Sequence, residues 1–134
     1  MHFDLLDQVL ERSEGRILTA KVVSRAEEYL QDHFASFPVL PGVFMIESLV
    51  HAARRLVQDH VPAQRLVLGG VRAVKYGRFV RPGECLIVEV NLVKREGDTF
   101  EFKGEGRVRG VDGVMIPDVT AVSGRFSLRP VKIG

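Results

Sequence analysis

The segment TFEFKGEGRVR, residues 99–109, constrains the fold of this 134-residue chain more than any other stretch. Apolar residues or glycines alternate there with charged residues at every second position. This period of two is typical of a β-strand that has one face buried and the other in water, as in antiparallel sheets. Gly104 and Gly106 lie on the apolar side, and their missing side chains predict that a helix packs closely against the sheet. We therefore expect an antiparallel sheet with a helix on its apolar face.

Further segments predict the other strands of this sheet. They are RILTAKVV (16–23), GGVRAVKYGRF (69–79), CLIVEVNLVKR (85–95) and TAVSGRFSLR (120–129), and the turn sequences RPGE, REGD and VDG separate the later ones. The sheet should therefore have five or six strands.

Two helices are predicted. The spacing of apolar residues between Asp4 and Arg12 favours a short first helix, which the sequence SEG ends. The dominant helix is predicted from Val43 to about Gln58, directly after Pro41-Gly42. Together with the strands, this pattern predicts one α+β domain over residues 1–134, in which an antiparallel sheet wraps around one long central helix without βαβ alternation.

Composition narrows the classes of protein to consider. The chain is 46% hydrophobic and 27% charged with a net charge of +2, which favours a globular protein and does not predict a nucleic-acid-binding surface. Its single cysteine, Cys85, lies in a strand-like run, which favours a core position in a reducing compartment. The first 15 residues lack the pattern of a signal peptide, and no apolar run reaches the roughly 18 residues of a membrane span. We therefore expect a cytoplasmic protein.

The dominant helix carries an unusual pair of titratable residues. Val43–Ile46 is apolar throughout, so we expect the first turns to be buried on every side. Glu47 and His51 follow, four residues apart and hence on one face. Burial would raise the pKa of the Glu47 carboxyl and suit it to proton transfer near neutral pH. A purely structural pairing of Glu47 with His51 or with an arginine explains the same pattern.

The start of this helix adds a third group. A helix start exposes unpaired N–H groups, and Gly42 has no side chain, so a carbonyl oxygen could lie against the amides of Gly42 and Val43 as in an oxyanion site. A Pro-Gly start also has a purely conformational explanation. His33 is a titratable residue in the preceding loop, which contains two prolines. Together, His33, Glu47 and these amides suit proton removal next to a thioester or ester carbonyl with loss of a β-hydroxyl.

These residues match a known pattern. The segment HFASFPVLPGVFMIE, from His33 to Glu47, resembles H-F-P-G-x-P-x-M-P-G-V-x-x-x-E of the hotdog-fold 3-hydroxyacyl-(acyl-carrier-protein) dehydratases, the FabZ-like family, without a gap. Further along, VKYGRFVRPGECLIVEVNLVKREGDTFEFKGEGRVRGVDG resembles the strand region of that family. The resemblance implies a hotdog fold that forms a homodimer or a trimer of dimers with shared active sites.

The resemblance also implies a mechanism and a partner. His33 of one subunit would remove the C2 proton of a (3R)-3-hydroxyacyl thioester, and Glu47 of the other would assist departure of the 3-hydroxyl as water. The substrate would be linked to the phosphopantetheine of an acidic acyl carrier protein. No metal or organic cofactor is implied, and neither nucleic acid nor membrane is an expected partner. The expected substrate-binding residues are Gly42, Val43, Phe37, Leu40, Phe44 and His51.

The resemblance implies that the acyl chain runs along a tunnel beside the first turns of the dominant helix. Several cations are candidates for contact with the acidic carrier at the mouth of this tunnel, and a solvated surface charge is the alternative for each. They are Arg54, Arg55, Lys75, Arg78 and Arg81.

The chain departs from the family pattern at several positions near the expected site. Ala35-Ser36 replaces Pro-Gly, Asp32 replaces a glycine, His51 stands at a common glutamine and Phe79 at a usual proline. A specialised pathway for polyketides, polyenes or unusual lipids fits these departures as well as fatty acid synthesis does.

Three alternative functions remain open at this point. The chain could be a hotdog acyl thioesterase, a non-catalytic carrier-binding or assembly subunit, or a protein that uses His33, Glu47 and His51 as a metal triad.

Overall fold

An antiparallel sheet and one long helix make up the part of the chain that the computed structural model describes, residues 8–22, 42–58 and 66–131. The helix is α1 (Gly42–Val57), and the strands are β1 (Gln8–Arg12), β2 (Arg16–Val22), β3 (Leu66–Tyr76), β4 (Cys85–Glu96), β5 (Thr99–Arg109) and β6 (Met115–Pro130). The strand order is β1-β2-β4-β5-β6-β3, and every neighbouring pair is antiparallel. Since α1 packs against β2, β3, β4, β5 and β6, the predicted architecture is confirmed.

Strand β5 has the bounds and the two faces that its alternation predicts. Its buried residues are Phe100, Phe102, Gly104, Gly106 and Val108. A Cβ added at Gly104 would lie 3.1 Å from Leu49 Cδ2, so the helix does pack closely at this glycine. At Gly106 the prediction was wrong, because the close neighbours at 2.9 Å are Leu86 and Val122 of the adjacent strands.

The first element differs from the sequence prediction. Within the described residues, Gln8–Arg12 forms β1 instead of a helix, and it pairs with β2 from Gln8 opposite Ala20 to Arg12 opposite Ile17. The predicted turn at SEG is present, and Ser13 N–H donates to the Arg16 carbonyl at 2.9 Å. A helix this short has little stability of its own, and pairing with β2 satisfies the backbone hydrogen bonds instead.

The helix α1 has one covered face. The buried apolar residues recur at helical spacing, and they are Met45, Leu49, Val50, Ala52, Ala53, Leu56 and Val57. Phe44 and Ile46 are only half-buried, so the expectation that the first turns are buried on every side was wrong for the single chain. The reason is geometric: one sheet covers one side of a helix. The opposite face of α1 carries the titratable residues.

Two observations bear on the predictions made from composition. Cys85 is buried as predicted, and Arg109 Nη2 lies 3.6 Å from its Sγ. In the described ranges, no helix has the length and apolar character needed to cross a membrane.

Candidate active site

The candidate site begins at the start of α1. The backbone of Gly42 and Val43 is helical, so their amides belong to the first turn, where N–H groups have no acceptor within the helix. The first turn contains no acidic residue. Further along, Ser48 Oγ donates to the Phe44 carbonyl at 3.0 Å, so the buried Ser48 hydroxyl is satisfied within the helix. The described part of the first turn is therefore compatible with an acceptor oxygen at its amides.

Glu47 and His51 meet on the face of α1 that the sheet leaves uncovered. His51 Nε2 lies 3.6 Å from Glu47 Oε2, as the four-residue spacing predicts. The His51 side chain is 32% exposed, and the Glu47 side chain is 46% exposed. The burial expected for Glu47 is therefore not found within one chain, because its position lies away from the sheet. At 3.6 Å the contact is longer than a good hydrogen bond, so the carboxylate keeps its capacity to bind another group.

A groove of about 300 Å³ lies beside the first half of α1. It is lined by Met45 of the helix and by Tyr76, Gly77, Arg78 and Phe79, which follow one another at and after the end of β3. The lining is mainly apolar, and the rings of Tyr76 and Phe79 are 55% and 57% exposed. An apolar groove of this volume is suited to an acyl chain.

An ion pair closes the loop that forms one wall of this groove. Arg78 donates to both oxygens of Glu84, with Nη1 to Oε1 at 3.1 Å and Nη2 to Oε2 at 2.9 Å. The Arg81 N–H donates to Glu84 Oε1 at 2.8 Å. Burial raises the pKa of the Glu84 carboxyl, but the hydrogen bonds from Arg78 and Arg81 outweigh burial, and the net result is a lowered pKa. Arg78, expected as a carrier contact, is thus engaged within the loop.

A stripe of cations crosses the outer face of the sheet. Lys103 of β5 stands opposite Arg125 of β6, which stands opposite Arg72 of β3. Together with Lys75, these side chains are exposed, and among the described residues none of the four forms an ion pair. Like charges in directly opposed positions destabilise a sheet, so the stripe is suited to an anionic partner.

The match to a known family covers most of the chain. The sequence model of the ApeI-like family, which is described as ApeI dehydratase, matches residues 9–112. The chain belongs to this dehydratase family. A curated relative, the 3-hydroxyacyl-(acyl-carrier-protein) dehydratase FabZ of Klebsiella pneumoniae, is 35% identical over 128 residues, which are 92% of this chain and 83% of the relative. As a member of a dehydratase family, the chain is a lyase that removes water, which is the reaction class that the sequence predicted.

Solved structures agree on the fold. A chain of the dehydratase heterocomplex ApeI:P from Xenorhabdus doucetiae superposes with a TM-score of 0.73 at 24% identity, covering 96% of this chain and 84% of that one. The fluoroacetyl-CoA thioesterase FlK superposes with a TM-score of 0.70 at 19% identity, covering 90% of each chain. At these identities the likeness shows the hotdog fold alone, so the thioesterase neighbour does not favour hydrolysis over dehydration.

The predicted site residues fall into two groups. Glu47, His51 and the helical start at Gly42 and Val43 lie on α1, where the structure brings Glu47 and His51 together. Phe44 is half-buried and packs against the core. Three predicted residues lie outside the described residues: His33, Phe37 and Leu40.

Sequence reasoning did not single out Met45, Tyr76 or the Arg78–Glu84 pair. The exposed aromatic residues at the end of β3 were the available signal for the groove. Of the other candidate cations, Arg54 and Arg55 are both exposed, and Arg54 donates from Nε to the Leu66 carbonyl at 3.2 Å.

Proposed function

We propose that this chain dehydrates (3R)-3-hydroxyacyl thioesters on acyl carrier protein to trans-2-enoyl thioesters, in fatty acid synthesis or in specialised lipid or polyketide synthesis. The family match over residues 9–112 and the name of the Klebsiella relative support this reaction and this substrate class. The observation that carries the proposal is the pair of Glu47 and His51, which lie 3.6 Å apart on the uncovered face of the helix whose other side lines an apolar groove.

The proposed reaction uses two proton-transfer groups. His33 takes the C2 proton, and the electron pair of that C–H bond forms the C2=C3 double bond. The C3–O bond breaks, and the departing oxygen takes a proton from the Glu47 carboxylic acid to leave as water. The first-turn amide of Gly42 would stabilise the negative charge that develops on the thioester oxygen. No step needs a metal or an organic cofactor, and we propose that residues 1–134 form one such domain in the cytoplasm.

A second copy of the chain would complete the proposed site. Strand β3 is one edge of the sheet, and its Leu68 and Val71 side chains are 37% and 40% exposed. An unpaired edge of this kind is a template for pairing with another chain, and two-fold dimers are the commonest closed assembly. Because Tyr76 at the end of β3 lies beside Met45 of α1, a chain paired along β3 would reach the groove. We infer that His33 of the partner then faces Glu47.

The cationic stripe supports an acidic carrier protein as the partner. Lys75, Lys103 and Arg125 border a hollow of about 420 Å³ on the outer face, and Lys75 immediately precedes the groove residue Tyr76. A carrier bound there would sit at the end of the groove. We expect Arg125→Glu to raise KM for carrier-linked substrate and to leave KM for a carrier-free pantetheine thioester unchanged. If Arg55→Glu has this effect instead, the carrier contacts the exposed face of α1.

The decisive experiment measures turnover of a 3-hydroxyacyl thioester on carrier protein by mass spectrometry. Wild type, His33→Ala and Glu47→Gln are compared for loss of water and for free acid. Enoyl product that disappears in both variants supports the reaction and both roles. Free acid would instead identify a thioesterase, and absence of both products at several chain lengths would favour a non-catalytic subunit.

Mixing the two variants tests the shared site. If each site combines His33 of one subunit with Glu47 of the other, exchange between inactive His33→Ala and Glu47→Gln subunits creates one intact site in each mixed dimer. A one-to-one mixture should then recover about a quarter of wild-type activity, because half of the dimers are mixed and each has one working site. A mixture that stays inactive after proven subunit exchange would place both groups in one subunit.

A further inference from the structure

We propose that Arg78 and Glu84 are positioning residues whose ion pair holds Phe79 and Tyr76 as a wall of the acyl groove and thereby limits the length of the acyl chain that the enzyme accepts. The proposal rests on the dehydratase function proposed above. It concerns residues that do not react, and it assigns a role to the loop that follows β3.

The loop is tied down at both ends. Gly77 N–H donates to the Ala121 carbonyl of β6 at 3.0 Å, and a Cβ at Gly77 would clash with the Thr120 carbonyl oxygen, so only glycine allows this approach. At the other end, Glu84 N–H donates to the Arg81 carbonyl at 3.0 Å. Between these ends, Val80 is fully buried. The backbone path of the loop is therefore set by contacts with the sheet and the core.

The ion pair links this path to the groove. Besides its two bonds to Glu84, Arg78 Nη1 donates to the Phe79 carbonyl at 3.2 Å. Glu84 is 8% exposed, so its carboxylate is held in a largely dry site where charge-assisted bonds are strong and directional. One guanidinium thus holds both the carboxylate at the loop end and the backbone of the residue that lines the groove.

The groove needs such support because its aromatic wall is not packed in the core. The rings of Tyr76 and Phe79 are more than half exposed, whereas Met45 on the helix side of the groove is 1% exposed. One wall is therefore rigid through packing, whereas the other wall is more than half exposed, and the backbone bond from Arg78 to the Phe79 carbonyl contributes to its position. Loss of the ion pair should loosen the aromatic wall and leave the α1 wall unchanged.

The test measures kcat/KM with a series of 3-hydroxyacyl thioesters of increasing chain length. Glu84→Gln keeps the shape of the side chain and an acceptor for the Arg81 N–H but removes the charge. We expect the ratio of kcat/KM between the best and the poorest chain length to be about tenfold smaller than in wild type. The best short substrate should keep its kcat. Arg78→Lys keeps the positive charge but loses the paired bonds, and it should flatten the profile in the same way. Glu96→Gln, which removes a carboxylate from the exposed Lys94 pair, is the matched control and should leave the profile unchanged.

A double variant separates positioning from general stability. Phe79→Ala removes the proposed wall and should flatten the profile with little change in Tm, because the ring is exposed. If the ion pair acts through Phe79, combining Glu84→Gln with Phe79→Ala adds no further flattening. A lowered Tm with an unchanged chain-length profile in both Glu84→Gln and Arg78→Lys would overturn the proposal.

The same variants also separate this proposal from the proposed function. Calorimetry with saturated acyl-pantetheine thioesters, which cannot be dehydrated, reports on the groove without chemistry. Chain-length-dependent binding that flattens in Glu84→Gln supports the ion pair even if wild type shows no turnover, and only the dehydratase function then fails. Binding in wild type and Glu84→Gln with the same dependence on chain length overturns the role of the ion pair.

Discussion

Glu47 and Glu84 lie in two regions of the molecule that differ in how far they bury and hydrogen-bond a carboxylate. On the uncovered face of α1, the Glu47 side chain is 46% exposed, and its contact with His51 is 3.6 Å. In the loop after β3, the Glu84 side chain is 11% exposed and accepts three hydrogen bonds of 2.8–3.1 Å. Glu84 is therefore fixed and charged, whereas Glu47 retains free acceptor capacity.

This difference separates a structural role from a chemical one. A carboxylate that accepts two hydrogen bonds from a guanidinium and one from a backbone amide resists protonation, so it makes a poor proton donor. A carboxylate beside a histidine on an uncovered helix face remains accessible, so a bound substrate or a partner chain can still change its surroundings. Each of the following predictions tests this difference between Glu47 and Glu84.

The largest effect is expected for Glu47→Gln. If Glu47 donates the proton to the leaving oxygen, kcat should fall about 10³-fold, equivalent to about 4 kcal/mol. The free energy of unfolding in urea should change by less than about 0.5 kcal/mol, because the side chain is half exposed and loosely paired. Near-normal turnover in this variant would remove Glu47 from the mechanism and break the contrast.

The second effect is a loss of stability in Glu84→Gln. The substitution leaves the Arg78 guanidinium partly buried without a countercharge, which should lower the free energy of unfolding by about 3 kcal/mol. Urea denaturation of the two proteins measures the difference. A loss below about 1 kcal/mol would mean that water replaces the carboxylate at little cost.

The dependence of the free energy of unfolding on pH should also report on Glu84. Because Glu84 has a lowered pKa in the folded chain, the unfolded chain binds this proton more readily as pH falls. Its contribution is complete above the unfolded pKa, near 4.3, and is lost as pH falls through the folded pKa. Between about pH 5 and pH 3, wild type should therefore lose more stability than Glu84→Gln. Parallel curves for the two proteins would contradict the assignment.

The smallest effect is expected for Glu105→Gln. Glu105 and Arg107 are paired at 3.2 Å, but their side chains are 38% and 56% exposed. A pair so open to water contributes little, so unfolding should change by less than about 0.5 kcal/mol. A loss as large as that of Glu84→Gln would show that exposure does not distinguish these carboxylates.

Local patterns in the sequence were sufficient for β5 and for the helix α1. The alternation in β5 predicted its bounds and its buried face, because side chains on a strand point to opposite sides by geometry alone. The four-residue spacing of Glu47 and His51 predicted their contact for the same kind of reason.

Where two conformations satisfy one pattern, the sequence was not sufficient. Apolar residues between Asp4 and Arg12 fit a helical stripe, yet Gln8–Arg12 is a strand because β2 supplies backbone partners. The close neighbours of Gly106 and the exposure of Glu47 likewise depended on which elements pack where.

The sequence by itself determined the antiparallel strands, the long helix, the family and the types of chemical group available at the expected site. Each of these can be predicted from periodicity or from a contiguous motif. Only the tertiary structure decided that Arg78 pairs with Glu84, that Tyr76 and Phe79 form a groove with Met45, and that cations from three strands form one stripe. The groove and the stripe join residues from different elements, and the ion pair lies in an irregular loop. Their distances depend on loop closure and strand register, which no local pattern specifies.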